Sequence, residues 1–200
     1  MKFAAKIASF IFHPVFIPTM VTGSYYYFNG MFYLPLERYV ATGQVFLMTC
    51  LLPASIYFFL KSLGLLRSSI MVDNVKERSV PMFLNIVIVG ILIFRVWENV
   101  SNNALKQFFI GFSVSYFILF CSVLFRKKYS VHVACLCSTL PLFVQPSTVY
   151  FLPPVIVLPV LLLLTGWVAS SRLYLNAHTN IEIIMGAVIG FVPSFVLFFL

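Results

Sequence analysis

A chain of 200 residues that is 62% hydrophobic and only 9% charged carries more apolar side chain than a water-soluble domain of that size can bury. Its net charge of +8 lies in short clusters between apolar runs, with no recognition helix or nucleic-acid motif, which sets nucleic acid aside as a partner. No alternating barrel-strand pattern is present either, so the class is an all-α, polytopic helical membrane protein, one integral domain over 1–200 without repeats.

Crossing the hydrocarbon core takes roughly 20 apolar residues. The first such run, about 7–28, follows Lys2 and Lys6 and ends in Tyr25-Tyr26-Tyr27-Phe28. Its basic start resembles a secretory signal, but the aromatic end makes a poor cleavage site and a good interfacial belt, so a retained membrane helix is expected. His13, beside Pro14, has no polar neighbour in sequence and reads as structural. A second run at about 44–65 leads into the longest polar stretch, Asp73-Asn74-Val75-Lys76-Glu77-Arg78-Ser79-Val80-Pro81. The third, about 81–98, closes on Trp97-Glu98, an interfacial helix end on the opposite face. The fourth, about 105–125, runs into Arg126-Lys127-Lys128 and then Tyr129-Ser130-Val131-His132. Two runs, about 130–147 and 148–169, flank Gln145-Pro146-Ser147, and the seventh occupies about 179–200. Six or seven spans result, according to whether the short run before Pro146 crosses.

Cys50, Cys121, Cys135 and Cys137 fall inside runs, where cysteine behaves as a small apolar residue. His132 with Cys135 and Cys137 lacks the second ligand pair of a metal site, and no disulfide framework is legible; no metal or other cofactor is expected.

The polar positions cluster after the second, fourth and sixth runs. Each cluster follows an even number of crossings, so all three are expected on one face, with the N-terminus. The last is the richest in chemistry. On a helix, His178 and Glu182 stand at i and i+4 on one face. A carboxylate there can accept one imidazole N–H and leave the other nitrogen as a nucleophile, while Arg172 can grip phosphoryl oxygens in a bidentate fork. A carboxylate in the first turns of a membrane helix is costly without a partner, and His178 is the obvious one. Plainer roles exist for the others: Arg78 and Lys76 as topology determinants, Ser130 as a helix cap, His132 as a packed histidine.

At these residues the chain resembles the type 2 phosphatidic acid phosphatases, which share a helical fold with vanadium-dependent haloperoxidases. Three motifs define that family: a lysine-to-arginine-proline stretch, Pro-Ser-Gly-His, and Ser-Arg followed by histidine and aspartate. The third matches at full spacing through Ser171, Arg172 and His178, with Glu182 in place of aspartate. In the second, Ser130 and His132 match, while Tyr129 and Val131 replace proline and glycine. In the first, Arg78 is followed by Pro81 rather than by an adjacent proline, and Met71 stands at the lysine position. The resemblance covers residues 73–200.

The resemblance implies a phosphatidic acid phosphatase-like core and a two-step, metal-independent phosphatase acting on a membrane lipid phosphate or diphosphate. His178 would form a phosphohistidine, and His132 would protonate the departing alkoxide and then activate water. Arg78, Arg172, Lys128 and Ser130 would neutralise the phosphoryl oxygens, with Lys128 or Lys76 supplying the missing cation and Lys128 favoured because it stands two residues before Ser130. Two other readings stay open: an inactive membrane protein that binds anionic lipid head groups with the same cations, and a transporter. Lys2, Lys6, Lys61, Arg67, Lys76, Arg78, Arg126, Lys127, Lys128 and Arg172 fall on the N-terminal face against Arg38, Arg95 and Lys106 on the other. By the positive-inside rule that puts the site on the cytoplasmic side, in a bacterial inner membrane. Neither the particular lipid nor the oligomeric state is legible.

Overall fold

Proline and glycine decide where these apolar runs become helices. In the computed structural model, which describes residues 2–64, 79–96, 103–144 and 154–199, α1 (Lys2–Ile11) stops short of Pro14 and α2 (Ile17–Phe28) begins after it. Proline lacks an N–H and disfavours helical backbone in the residue before it. The expected single helix over about 7–28 is therefore two helices joined by a turn.

α3 (Pro35–Phe46) starts where Pro35 supplies a pre-set φ and Glu37 accepts the Leu34 N–H at 3.1 Å. It runs through a π-helical turn at Leu47–Leu51 into α4 (Leu52–Ser62). There the Leu52 N–H reaches back to the Leu47 carbonyl just before Pro53, so the wider turn absorbs the proline without ending the helix. α5 (Ser79–Ile91) ends in a second π-helical turn, Leu92–Val96. Then come α6 (Asn103–Leu124), the short α7 (Val131–Cys137) and α8 (Leu140–Val144), α9 (Pro154–Tyr174) and α10 (Asn180–Phe199).

Among the described residues, four helices are long and apolar enough to cross a membrane: Pro35–Ser62, Ala104–Leu124, Ile156–Tyr174 and Asn180–Phe199. The expectations at about 81–98 and 130–147 meet shorter helices, Ser79–Phe94 and Val131–Val144. The described architecture is all-α, with the helices of an integral membrane protein. Phe94, Phe117, Leu163 and Ile181 lie exposed on its outer faces, where hydrocarbon rather than water is the matching solvent.

α10 is the packing centre, lying against both α6 and α7. Gly186, Gly190 and Ser194 recur every four residues on one face, the small-residue stripe that lets membrane helices approach closely. A Cβ at Gly186 would stand 2.6 Å from the Ser130 carbonyl oxygen, and one at Gly190 would collide with the backbone of Ala134. On the other side, Gly111 of α6 makes room for Ser194. Phe108, Phe109 and Phe112 of α6 are fully buried and form the aromatic middle of the core with Tyr25 and Tyr26 of α2. α1 lies along α9 through its small residues Ala5 and Ala8, and Phe12 meets Trp167 edge-on at 6.3 Å.

Candidate functional site

The site is built at two helix joins made in the same way. α6 ends in a Schellman turn. Arg126 is left-handed (φ 58), its N–H bonds the Val123 carbonyl at 2.9 Å, and the Lys127 N–H bonds the Ser122 carbonyl at 2.8 Å. α9 ends likewise. Asn176 is left-handed (φ 51), its N–H bonds the Leu173 carbonyl at 2.9 Å, and the Ala177 N–H bonds the Arg172 carbonyl at 3.0 Å. Each turn reverses the chain at once, so Ser130 and Thr179 begin the next helices and His132 and His178 stand beside those starts. The spacing from Arg172 to His178 is thus the length of one Schellman turn.

The joins are tied together. The Ser130 N–H bonds the Glu182 carbonyl at 3.1 Å, and the segment rests on Gly186, where only a missing Cβ leaves room.

His178 Nδ1 lies 3.0 Å from Glu182 Oε2. A carboxylate only accepts, so Nδ1 carries the proton and Nε2 keeps its lone pair. The same oxygen accepts the Thr179 N–H at 3.1 Å, and the Glu182 N–H bonds Thr179 Oγ1 at 3.4 Å. This is a reciprocal capping box, and the carboxylate at the helix N-terminus also sits at the favourable end of the helix dipole. Glu182 therefore both starts α10 and orients His178. The Thr179-to-Glu182 spacing ahead of an apolar run carried that signal in the sequence.

His132, buried, donates from Nε2 to the Ser9 carbonyl of α1 at 3.2 Å. A carbonyl cannot donate, so Nε2 bears the proton and Nδ1 is left for proton transfer. Arg172 stands on the last turn of α9, inside the helix rather than after it, and is buried. Its charge acts on both His132 and His13. Ser130 precedes α7 at the cap position without making the expected cap bond. Its hydroxyl is fully buried and, among the described residues, has no hydrogen-bond partner. The hydroxyl of Ser171 bonds the Trp167 carbonyl at 2.7 Å within its own helix.

Lys128 is half-buried in the extended segment 127–130, and among the described residues it makes no hydrogen bond or ion pair. Arg78 and Met71 of the first motif lie outside the described residues, while its Pro81 stands in the first turn of α5. α5, which begins at Ser79, packs Met82 against Leu119, Val123 and Ala134 and so starts at the same end of the bundle as α7.

His13 corrects the sequence reading. Its ring lies 5.3 Å from that of His132 in an edge-to-face arrangement, and its Nδ1 accepts the Val15 N–H at 3.4 Å. His13 therefore stands against His132, and the charge of Arg172 acts on both rings. Nothing local to Phe12-His13-Pro14 signals this, because the partner is more than a hundred residues away.

Of the chain's five carboxylates, only Glu37 and Glu182 are among the described residues, and Glu37 caps α3 far along the chain. The described site is thus a guanidinium, three imidazoles and a buried hydroxyl against one carboxylate, an arrangement complementary to an anion. No protein family, curated protein or solved structure matches this chain.

Proposed function

We propose that the chain is a metal-independent phosphatase of membrane lipid phosphates or diphosphates, a divergent relative of the type 2 phosphatidic acid phosphatases with their helical core. The observation that carries this reading is the 3.0 Å bond from His178 Nδ1 to Glu182, which leaves Nε2 unprotonated, one helix-ending turn along the chain from the buried Arg172.

In this mechanism His178 Nε2 attacks phosphorus. The N–P bond forms as the bond to the lipid oxygen breaks, and His132, entering this step as the imidazolium with both ring nitrogens protonated, gives its Nδ1 proton to the departing alkoxide. Glu182 balances the positive charge on the phosphorylated ring. Water then attacks phosphorus and loses its proton to His132 Nδ1, and the N–P pair returns to His178. Arg172 and the Ser130 hydroxyl carry the charge that develops on the equatorial oxygens, the main source of catalysis in phosphoryl transfer. Arg78 and Lys128 join them in this reading when the phosphate is bound. The phosphate sits at the end of the bundle while the lipid tails remain in the bilayer. The charge bias of the loops assigns that end to the cytoplasmic face.

The test is phosphate release by purified protein from phosphatidate, phosphatidylglycerol phosphate and a polyprenyl diphosphate. At least one should be hydrolysed. His178→Ala should reduce release by about a thousandfold or more while lipid phosphate binding persists, because Arg172 remains. Binding with no turnover in the wild type would favour the head-group-binding reading. Wild-type turnover in His178→Ala would remove the phosphohistidine.

A further inference from the structure

The break between α1 and α2 does something the proposed mechanism has not used. In an uninterrupted helix the Ser9 carbonyl would accept the N–H of residue 13. Here Pro14 ends the helix, the last turn tightens, and the His13 N–H bonds the Phe10 carbonyl instead, at 3.2 Å. Ser9 is left with one of the orphan carbonyls of a helix C-terminus, and it is fully buried, where such a group needs a donor. The donor is His132 Nε2 at 3.2 Å. Within the same break, His13 is turned so that its ring meets that of His132 edge-to-face, 5.3 Å away at an interplanar angle of 89°. The Val15 N–H at His13 Nδ1 and the Phe16 ring, 6.4 Å away, hold the His13 ring in turn.

We propose that this break is a positioning device for His132, with Ser9, His13 and Pro14 as its parts; it rests on the reading of His132 as the proton-transferring histidine. The freed carbonyl selects which nitrogen of His132 carries the resting proton, and the His13 ring sets the plane in which the other nitrogen faces the phosphate. α1 is thereby part of the site. Its packing along α9 carries this support to the helix that holds Arg172.

The full chain in detergent micelles, labelled with 15N-histidine, tests the proposal directly. Three histidines give three sets of ring signals, assignable by single substitutions. In the wild type, His132 should be the Nε2–H tautomer. Pro14→Ala lets the helix continue and return Ser9 to its own ladder, and should mix the tautomers of His132 while leaving the His178 signals in place. His13→Ala should do the same. His13→Phe keeps a ring edge and should restore the single tautomer.

In kinetics, with the best-hydrolysed lipid of the panel, His13→Ala should lower kcat on the order of 10- to 100-fold with KM within about twofold. His13→Phe should recover to within about threefold of wild type. A fold defect alone would lower the unfolding temperature and disturb His178 as well. Wild-type His132 signals in both His13→Ala and Pro14→Ala would overturn the proposal, as would folded His13→Phe that fails to restore them. If the wild type hydrolyses none of the lipids, the phosphatase reading falls, and the tautomer of His132 in Pro14→Ala still decides the device.

Discussion

The two joins that carry the site differ in their caps. Both follow a Schellman turn closed by a left-handed residue other than glycine, Arg126 in one and Asn176 in the other. Both place a hydroxyl residue at the start of the next helix. At the α9–α10 join Thr179 and Glu182 exchange two cap bonds, so the hydroxyl is consumed by the fold. At the α6–α7 join the Ser130 hydroxyl, fully buried, makes none among the described residues. Burying a hydroxyl without a partner costs roughly 1–3 kcal/mol. The fold tolerates that cost at Ser130 and avoids it at Thr179. The same residue chemistry is structural in one join and held open in the other, and the open hydroxyl is the one two residues from His132.

The largest expected effect breaks both joins together. Gly190→Val puts a branched side chain into the Ala134 backbone. It should push α7 off α10 and cost about 3 kcal/mol or more, read as a lower unfolding temperature in detergent and loss of activity. Gly90→Val, where a Cβ meets nothing within 4 Å, is the control.

Glu182→Gln sharpens the comparison at the α9–α10 join. The amide oxygen can still accept from Thr179 and from His178, so stability should change little. The charge that steadies a cationic imidazole is gone, and turnover should drop roughly 10- to 100-fold, about 1.4–2.7 kcal/mol of barrier. Binding of a lipid phosphate should be unchanged, measured by titration of the folded variant. Equal losses in rate and affinity would show Glu182 to be only a cap.

The pair Thr179→Ala and Ser130→Ala should invert. Removing the Thr179 hydroxyl should cost about 1 kcal/mol of stability and leave turnover per folded molecule within about twofold. Removing the Ser130 hydroxyl relieves a buried, unpartnered group and should raise stability by about 1 kcal/mol or more, yet reduce turnover about tenfold. Thermal unfolding beside phosphate release from the same preparations decides between them.

The smallest effect concerns the left-handed residues. Arg126→Gly relieves a backbone conformation that costs a side chain roughly 1 kcal/mol and should raise stability slightly. Asn176→Gly should gain only a few tenths of that, because asparagine enters the left-handed region more readily. Unfolding midpoints of the two variants give the order.

What the amino-acid sequence determined alone is what depends on neighbours along the chain. α6, α9 and α10 follow from runs of apolar residues long enough for hydrocarbon. The His178–Glu182 bond follows from a helical spacing of four. The short α7 and the breaks within the first and fifth expected spans were less legible. A proline in an apolar run can end a helix, as Pro14 does, or be absorbed by a π-turn, as Pro53 is, and what receives the freed backbone groups decides which. Tertiary structure alone decided those receivers. The Ser9 carbonyl finds its donor on His132, and His13 finds its ring partner there too, both across more than a hundred residues. It also decided that Ser130 keeps its hydroxyl free, because the segment is fixed instead through its N–H to the Glu182 carbonyl, on a glycine with no side chain to hold it away.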